Sequence, residues 1–192
     1  MKIINHDTPQ LLQALCDFDK SISGLYLDIE FIEDGDERLD HFVRDQKDEF
    51  HSFAQDGTSS IMALWNYEKN TNLDETPIAF LNSEGGGAVV ASNILEFLSL
   101  LPYDTAFFST AISHWTDFLE MPNDVIPPNE TYTEAFYSDL KNTLEAINPN
   151  YLDFQSWLKT KMGIKVCENP YELIAQNLEK FPKVPYSYRE DD

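Results

Sequence analysis

Ile61-Met62-Ala63-Leu64-Trp65, Pro77-Ile78-Ala79-Phe80-Leu81 and Ala88-Val89-Val90-Ala91 are three short apolar runs within thirty-one residues. Turn-forming residues separate them: a polar loop from Glu68 to Thr76, then Ser83-Glu84-Gly85-Gly86-Gly87. Runs of four or five apolar residues bounded by turn signals read as buried strands. Pro77 stands at the start of its strand, where a missing N–H donor is tolerated. The glycine-rich link permits a tight turn. Ser92 or Asn93 then caps a helix running to Leu101.

Upstream, Leu25, Leu27, Ile29 and Phe31 alternate with Tyr26, Asp28 and Glu30, the pattern of a half-buried strand, and Asp34-Gly35 marks a turn. From Asp36 to about Ala54 the spacing of Leu39, Phe42, Val43, Phe50 and Phe53 predicts a helix with one buried face. Before this, Asp7 or Thr8 with Pro9 opens a helix carrying Leu11, Leu12, Leu15 and Phe18, which Gly24 ends. After Pro102 the pattern turns helical: Phe107 to Glu120, Thr133 to Ile147, Tyr151 to Met162 with Gly163 behind it, and Asn169-Pro170 opening a last helix to about Phe181. Ile164 to Cys167 reads as a short strand and the tail from Lys183 as loose. The chain has no repeat and no low-complexity linker. It therefore reads as one α+β domain over residues 1–192, with a core of about 22–101 and a helical C-terminal extension of about 103–182.

Composition bounds the function. The 192 residues carry 13 Phe, nine Tyr and three Trp, enough for a large core, and a net charge of −21. A folded chain of 22.1 kDa exposes on the order of 9,000 Å², or one net negative charge per about 450 Å². Such a surface repels nucleic acid, whose binding needs Lys and Arg, and attracts basic proteins. The charge is segmental. Residues 1–140 hold 26 acids against six Lys or Arg, a net of −20, whereas residues 141–192 are nearly neutral at −1. No apolar run reaches the ~18 residues of a membrane helix, and the N-terminus carries no secretion signal, so a cytoplasmic protein is expected. Cys16 and Cys167 are far apart and read as buried free thiols rather than a disulfide.

No catalytic or metal motif emerges. His41, Asp45, Asp48 and His51 invite a metal, but His41 and His51 lie nearly three helical turns apart, so a solvated helix face is the better reading. The Ser83–Gly87 stretch matches neither phosphate-binding glycine pattern. His114 and Trp115 sit in an apolar helix, and Trp65 and Trp157 read as core. No catalytic residue and no cofactor is expected.

One stretch resembles a family. Phe53-Ala54-Gln55-Asp56-Gly57-Thr58, Ala63-Leu64-Trp65, Pro77 to Gly85, then Val89-Val90-Ala91-Ser92-Asn93 and Phe97-Leu98 follow an order similar to that in the middle of SMI1/KNR4-type proteins, the SUKH superfamily. The likeness covers about fifty residues, Phe53 to Leu101. It implies an α+β fold with a curved, mostly antiparallel sheet backed by helices. It also implies an immunity protein that binds and neutralises a bacterial toxin, with regulatory or scaffold proteins among its relatives. The expected function is a non-catalytic acidic module that binds a basic protein partner, such as a nuclease toxin domain. A regulatory role of the same fold is the alternative, and a carboxylate- or metal-dependent hydrolase ranks last. The densest acidic stretch, Asp28 to Asp56, carries 11 acids and three Lys or Arg. The expected partner contacts are therefore Glu33, Asp34, Asp36 and Glu37, then Asp40, Asp45 and Asp48, with Asp56 and Glu84 completing one negative face.

Overall fold

A computed structural model describes residues 8–22, 29–32, 39–69, 72–122 and 124–185. The elements are α1 (Gln10–Ser21), β1 (Glu30–Phe31), α2 (Leu39–Phe42), β2 (Phe50–Gln55), β3 (Ile61–Trp65), β4 (Ile78–Leu81), β5 (Gly87–Ala91), α3 (Ile94–Leu100), α4 (Thr105–Glu120), α5 (Pro128–Thr131), α6 (Glu134–Ile147), α7 (Tyr151–Trp157) and α8 (Pro170–Lys180). The five strands form one antiparallel meander in the order β1-β2-β3-β4-β5. The fold is α+β, an open antiparallel sheet with helices.

The apolar strands are explained by burial on both faces. Met62, Leu64, Ile78 and Phe80 point into a cluster shared with α1, α3, α4, α6, α7 and α8. Ile61, Ala63, Trp65 and Leu81 point the other way, onto Leu39, Phe42, Val43 and Val184. A strand covered twice loses the polar alternation of a half-exposed one. Trp65 belongs to the second face, stacked on Phe50 at 5.4 Å, while Trp157 lies against Phe18 and Phe154 in the first.

The helix expected from Asp36 to Ala54 is corrected. Among its described residues the helical part is α2 and a 3-10 helix at Arg44–Glu49; residues 50–55 are strand β2. A bulge between Ser52 and Ala54 hides the strand in the sequence. Because of it, Phe53 and Ala54 both fall on the helix-covered face, while Phe50 falls on the other. The two-residue period is broken where it was needed, and the spacing of Phe50 and Phe53 imitates a helix. β2 wins because it pairs with both β1 and β3.

Smaller corrections follow the same logic. Pro9 caps α1 from outside with no side-chain bond, and Asp7, Leu25, Leu27 and the Asp34-Gly35 turn lie outside the described residues. Residues 164–167 form no strand; the Cys167 amide donates to the Ser99 carbonyl at 3.0 Å, and the Tyr103 hydroxyl donates to the Cys167 carbonyl at 2.5 Å. Both thiols are free, Cys16 buried and Cys167 half-buried. The segment after Lys183 is not loose at its start: Val184 is buried, and a Cβ on Gly87 would come within 3.1 Å of its side chain. The C-terminal helices are continuous with the core of residues 22–101, since one apolar cluster runs through both. Among the described residues, no helix is long and apolar enough to cross a membrane.

α8 covers the outer edge of β5 through one buried side chain. Asn177 donates from Nδ2 to the carbonyl of Val90 (3.1 Å), to Glu96 (3.2 Å) and to the Leu173 carbonyl (3.1 Å), and accepts from the Ser92 hydroxyl (2.7 Å). Val90 is the extra residue of a second bulge, where Ile78 faces Ala91 but Ala79 faces Val89. The amide thus covers the place where the ladder is disrupted and the sheet ends.

Candidate functional site

In a meander, alternate turns lie at the same end of the sheet. The β2–β3 and β4–β5 turns are therefore neighbours, because Ile61 faces both Gln55 and Leu81, and Leu81 faces Gly87. In the first turn, Asp56 is buried and its Oδ1 accepts from the Thr58 amide (2.9 Å), the Thr58 hydroxyl (2.6 Å) and the Ser60 amide (3.0 Å). Aspartate favours such turns because its short carboxylate reaches the amide two residues on. In the second, Asn82 Oδ1 accepts from the Glu84 amide at 3.0 Å, and Gly85 and Gly86 take φ of 118° and 86°, values open to glycine.

The turns are tied side by side. The Ser83 amide donates to the Ser60 hydroxyl at 3.2 Å, and the Thr58 and Ser60 hydroxyls lie 2.9 Å apart. The start of α4 closes the third side, where Asn82 Nδ2 donates to the Ser109 hydroxyl at 2.8 Å. Asp104 caps α4, accepting from the amides of Thr105 (2.5 Å) and Ala106 (3.4 Å). Its backbone stands at φ 75°, ψ 155°, a region that belongs almost entirely to glycine. Between the three elements lies a cleft of about 500 Å³. Three carboxylates line it, those of Asp56, Glu84 and Asp104, together with a set of hydroxyls. The lining holds no Lys, Arg, His or Cys. Such a wall offers acceptors and negative charge. It suits a cationic donor and opposes a phosphate.

The strained cap gives a direct test. A backbone in this region costs on the order of 1–3 kcal/mol, whereas exchanging an Asp cap for Gly costs only a few tenths. Asp104→Gly is expected to raise unfolding free energy by about 1 kcal/mol in urea titration, after the greater freedom of glycine in the unfolded chain is subtracted. A loss of stability would show that the Asp104 carboxylate holds more than the backbone gives up.

The predicted contacts divide into three groups. Glu33, Asp34, Asp36 and Glu37 lie outside the described residues. Asp40 is on α2, paired with Lys47 at 2.9 Å, and Asp45 and Asp48 are exposed on the 3-10 helix that precedes β2. Asp56 and Glu84 meet at the cleft, the first as a buried organiser of its turn and the second exposed at the tip of the other. The described members of the expected face therefore stand in two groups. Asp48 and Asp56 flank opposite ends of β2, roughly 20 Å apart at ~3.3 Å per residue. Asp104 lies outside the helix expected from Phe107; the capping signal Asp104-Thr105, just after Pro102-Tyr103, marks the observed start two residues earlier.

No group of three or more His, Cys, Asp or Glu among the described residues could hold a metal ion; His41 stands on α2 and His51 on β2. Burial pushes the Cys167 thiol upward, away from the reactive thiolate. Comparison of the chain with protein-family models, with curated proteins and with solved structures found no match.

Proposed function

We propose that the protein is a non-catalytic acidic module that binds a basic protein partner through the cleft at the end of its sheet. The observation that carries this reading is the lining of that cleft: three carboxylates, a set of hydroxyls and no basic or sulfur side chain. The hydroxyls of Thr58, Ser60 and Ser83 are tied into the turns that build the wall, so they shape a surface rather than stand ready as nucleophiles. The strained Asp104 fits a site kept for contact at some expense of stability. The likeness to SMI1/KNR4-type proteins, over Phe53 to Leu101, includes the same turns, Asp56-Gly57-Thr58 and Ser83-Glu84-Gly85. It points to an immunity-type role in the cytoplasm, in which the module occludes a basic bacterial toxin such as a nuclease.

Calorimetric titration of the full chain with a panel of purified basic nuclease-toxin domains tests the proposal. The expected result is one-to-one binding that weakens steadily as salt screens the opposed charges. Absence of binding at low salt, or binding indifferent to salt, would count against it.

A further inference from the structure

A second pocket, of about 380 Å³, opens between α4, α5 and the outer face of α8. Its wall is aromatic. Tyr132 lies flat on Tyr171 with centroids 4.0 Å apart and planes at 16°, and Trp115 meets Tyr171 edge-on at 6.4 Å and 61°. The floor is fixed: Tyr137 and Tyr171 are buried, and the Tyr171 amide donates to the Tyr137 hydroxyl at 3.4 Å. The Tyr171 hydroxyl is held in turn by His114. His114 Nε2 lies 3.0 Å from the Ile126 carbonyl, which can only accept, so Nε2 donates there, and Nδ1 lies 3.2 Å from the tyrosine hydroxyl.

The rim has the opposite character. Glu172, Gln176 and Glu179 follow one another on a single face of α8 at i, i+4 and i+7, and all three are exposed. No Lys, Arg or His lines the pocket, so the two glutamates set its charge. An aromatic wall under a carboxylate rim matches one common side chain better than any other. A guanidinium is flat and stacks on ring faces, its fork fits a carboxylate, and it is weakly hydrated. An ammonium is compact and strongly hydrated, and an anion would be repelled.

We propose that this pocket is a second anchor, which receives an arginine side chain of the basic partner. It depends on the reading of the sheet-end cleft only for the source of that arginine. The two sites share α4. Asp104 caps that helix at the cleft and Trp115 lies eleven positions further on, about 16 Å along the axis at ~1.5 Å per residue. One partner covering ~800 Å² can reach both.

The test is amide and indole chemical-shift mapping of the full isotope-labelled chain with N-acetyl-arginine amide, and in parallel with the lysine and glutamate analogues. Arginine is expected to shift the Trp115 indole N–H and amides of residues 169–179, about threefold more tightly than lysine and with no effect from glutamate. The double variant Glu172→Gln, Glu179→Gln, changed only at exposed positions, should weaken it about fivefold. Shifts confined to residues 56–60, 82–86 and 104–106 would overturn the second anchor and leave the sheet-end reading standing. Shifts at the pocket with none at the turns would support the anchor and count against that reading. Equal response to arginine and lysine, an unchanged double variant, or no shift at either place would each overturn the proposal.

Discussion

Replacing Asn177 by leucine is expected to cost about 3 kcal/mol of unfolding free energy, a large fraction of what a domain this size possesses. The side chain is 2 % exposed. Leucine fills a similar volume, so packing changes little, and the loss comes from abandoned partners. The buried Val90 carbonyl loses its partner, and the half-buried Ser92 hydroxyl and Glu96 carboxylate each lose one bond while keeping those from Lys180 and from the Ser92 amide. An unsatisfied buried group costs about 1–3 kcal/mol, more when it is charged. Asn177→Asp separates the contributions further. It keeps the acceptor for Ser92 but removes both donors and sets a second carboxylate against Glu96. Its loss should exceed that of leucine at neutral pH and shrink as the pH falls through the carboxylate range, because protonating either acid removes the repulsion. Urea unfolding of both variants measures this. A leucine variant within about 0.5 kcal/mol of the parent, the range of ordinary surface changes, would mean that α8 is held by its apolar face alone.

The second large effect is alkaline unfolding. Burial pushes the hydroxyls of Tyr137 and Tyr171 up to about 12, and those of Tyr103 and Tyr132 upward as well. Because the shifts are upward, these groups leave stability untouched below the ordinary tyrosine value near 10. Between there and about 12 the unfolded chain releases protons that the folded chain keeps, so stability falls as the pH rises. Each group contributes about 1.4 kcal/mol per pH unit. Tyr103, Tyr137 and Tyr171 are all less than a tenth exposed, and together they give a slope of at most about 4 kcal/mol per unit, reached near the middle of the window. Tyr132 is half-buried and adds less. The expected result is one cooperative transition in that window, with helix content and phenolate absorbance changing together. Tyrosines titrating independently near 10, with helix content unchanged, would contradict the packing of α4, α6 and α8 around them.

These tests bear on the parts of the fold that the sequence expresses least. β3, β4 and β5 were legible because both faces of the sheet are covered, which leaves plain apolar runs between turn residues. The same coverage made β2 hard to read. Its bulge places Phe53 and Ala54 on one face, and no local signal marks the extra residue. The C-terminal helices were legible from Thr133, Asn169-Pro170 and Gly163; Gly163 takes φ 66° where the last turn after α7 ends. Asn177 gave no signal at all, since its value lies in partners more than eighty residues away.

The candidate site divides in the same way. Asp56 and Glu84 were identifiable as turn residues, but only the antiparallel order brings them together. Counting acids along the chain joined Asp45 and Asp48 to them, although a strand length separates the two groups. Charge density in sequence is a poor guide to charge density in space when a strand runs between.

The claim at the centre of this account is that binding is focused at the sheet-end cleft and is not a diffuse effect of 34 acids. It is tested most directly by reversing one exposed charge at each end of the sheet, Glu84→Lys and Asp48→Lys, and titrating both variants with the basic toxin domain that binds the parent chain. The two changes alter net charge equally, so any difference between them reports position. The account predicts that Glu84→Lys weakens binding at least tenfold, about 1.4 kcal/mol, and Asp48→Lys by no more than about twofold. Equal losses, or a larger loss at Asp48, would contradict it.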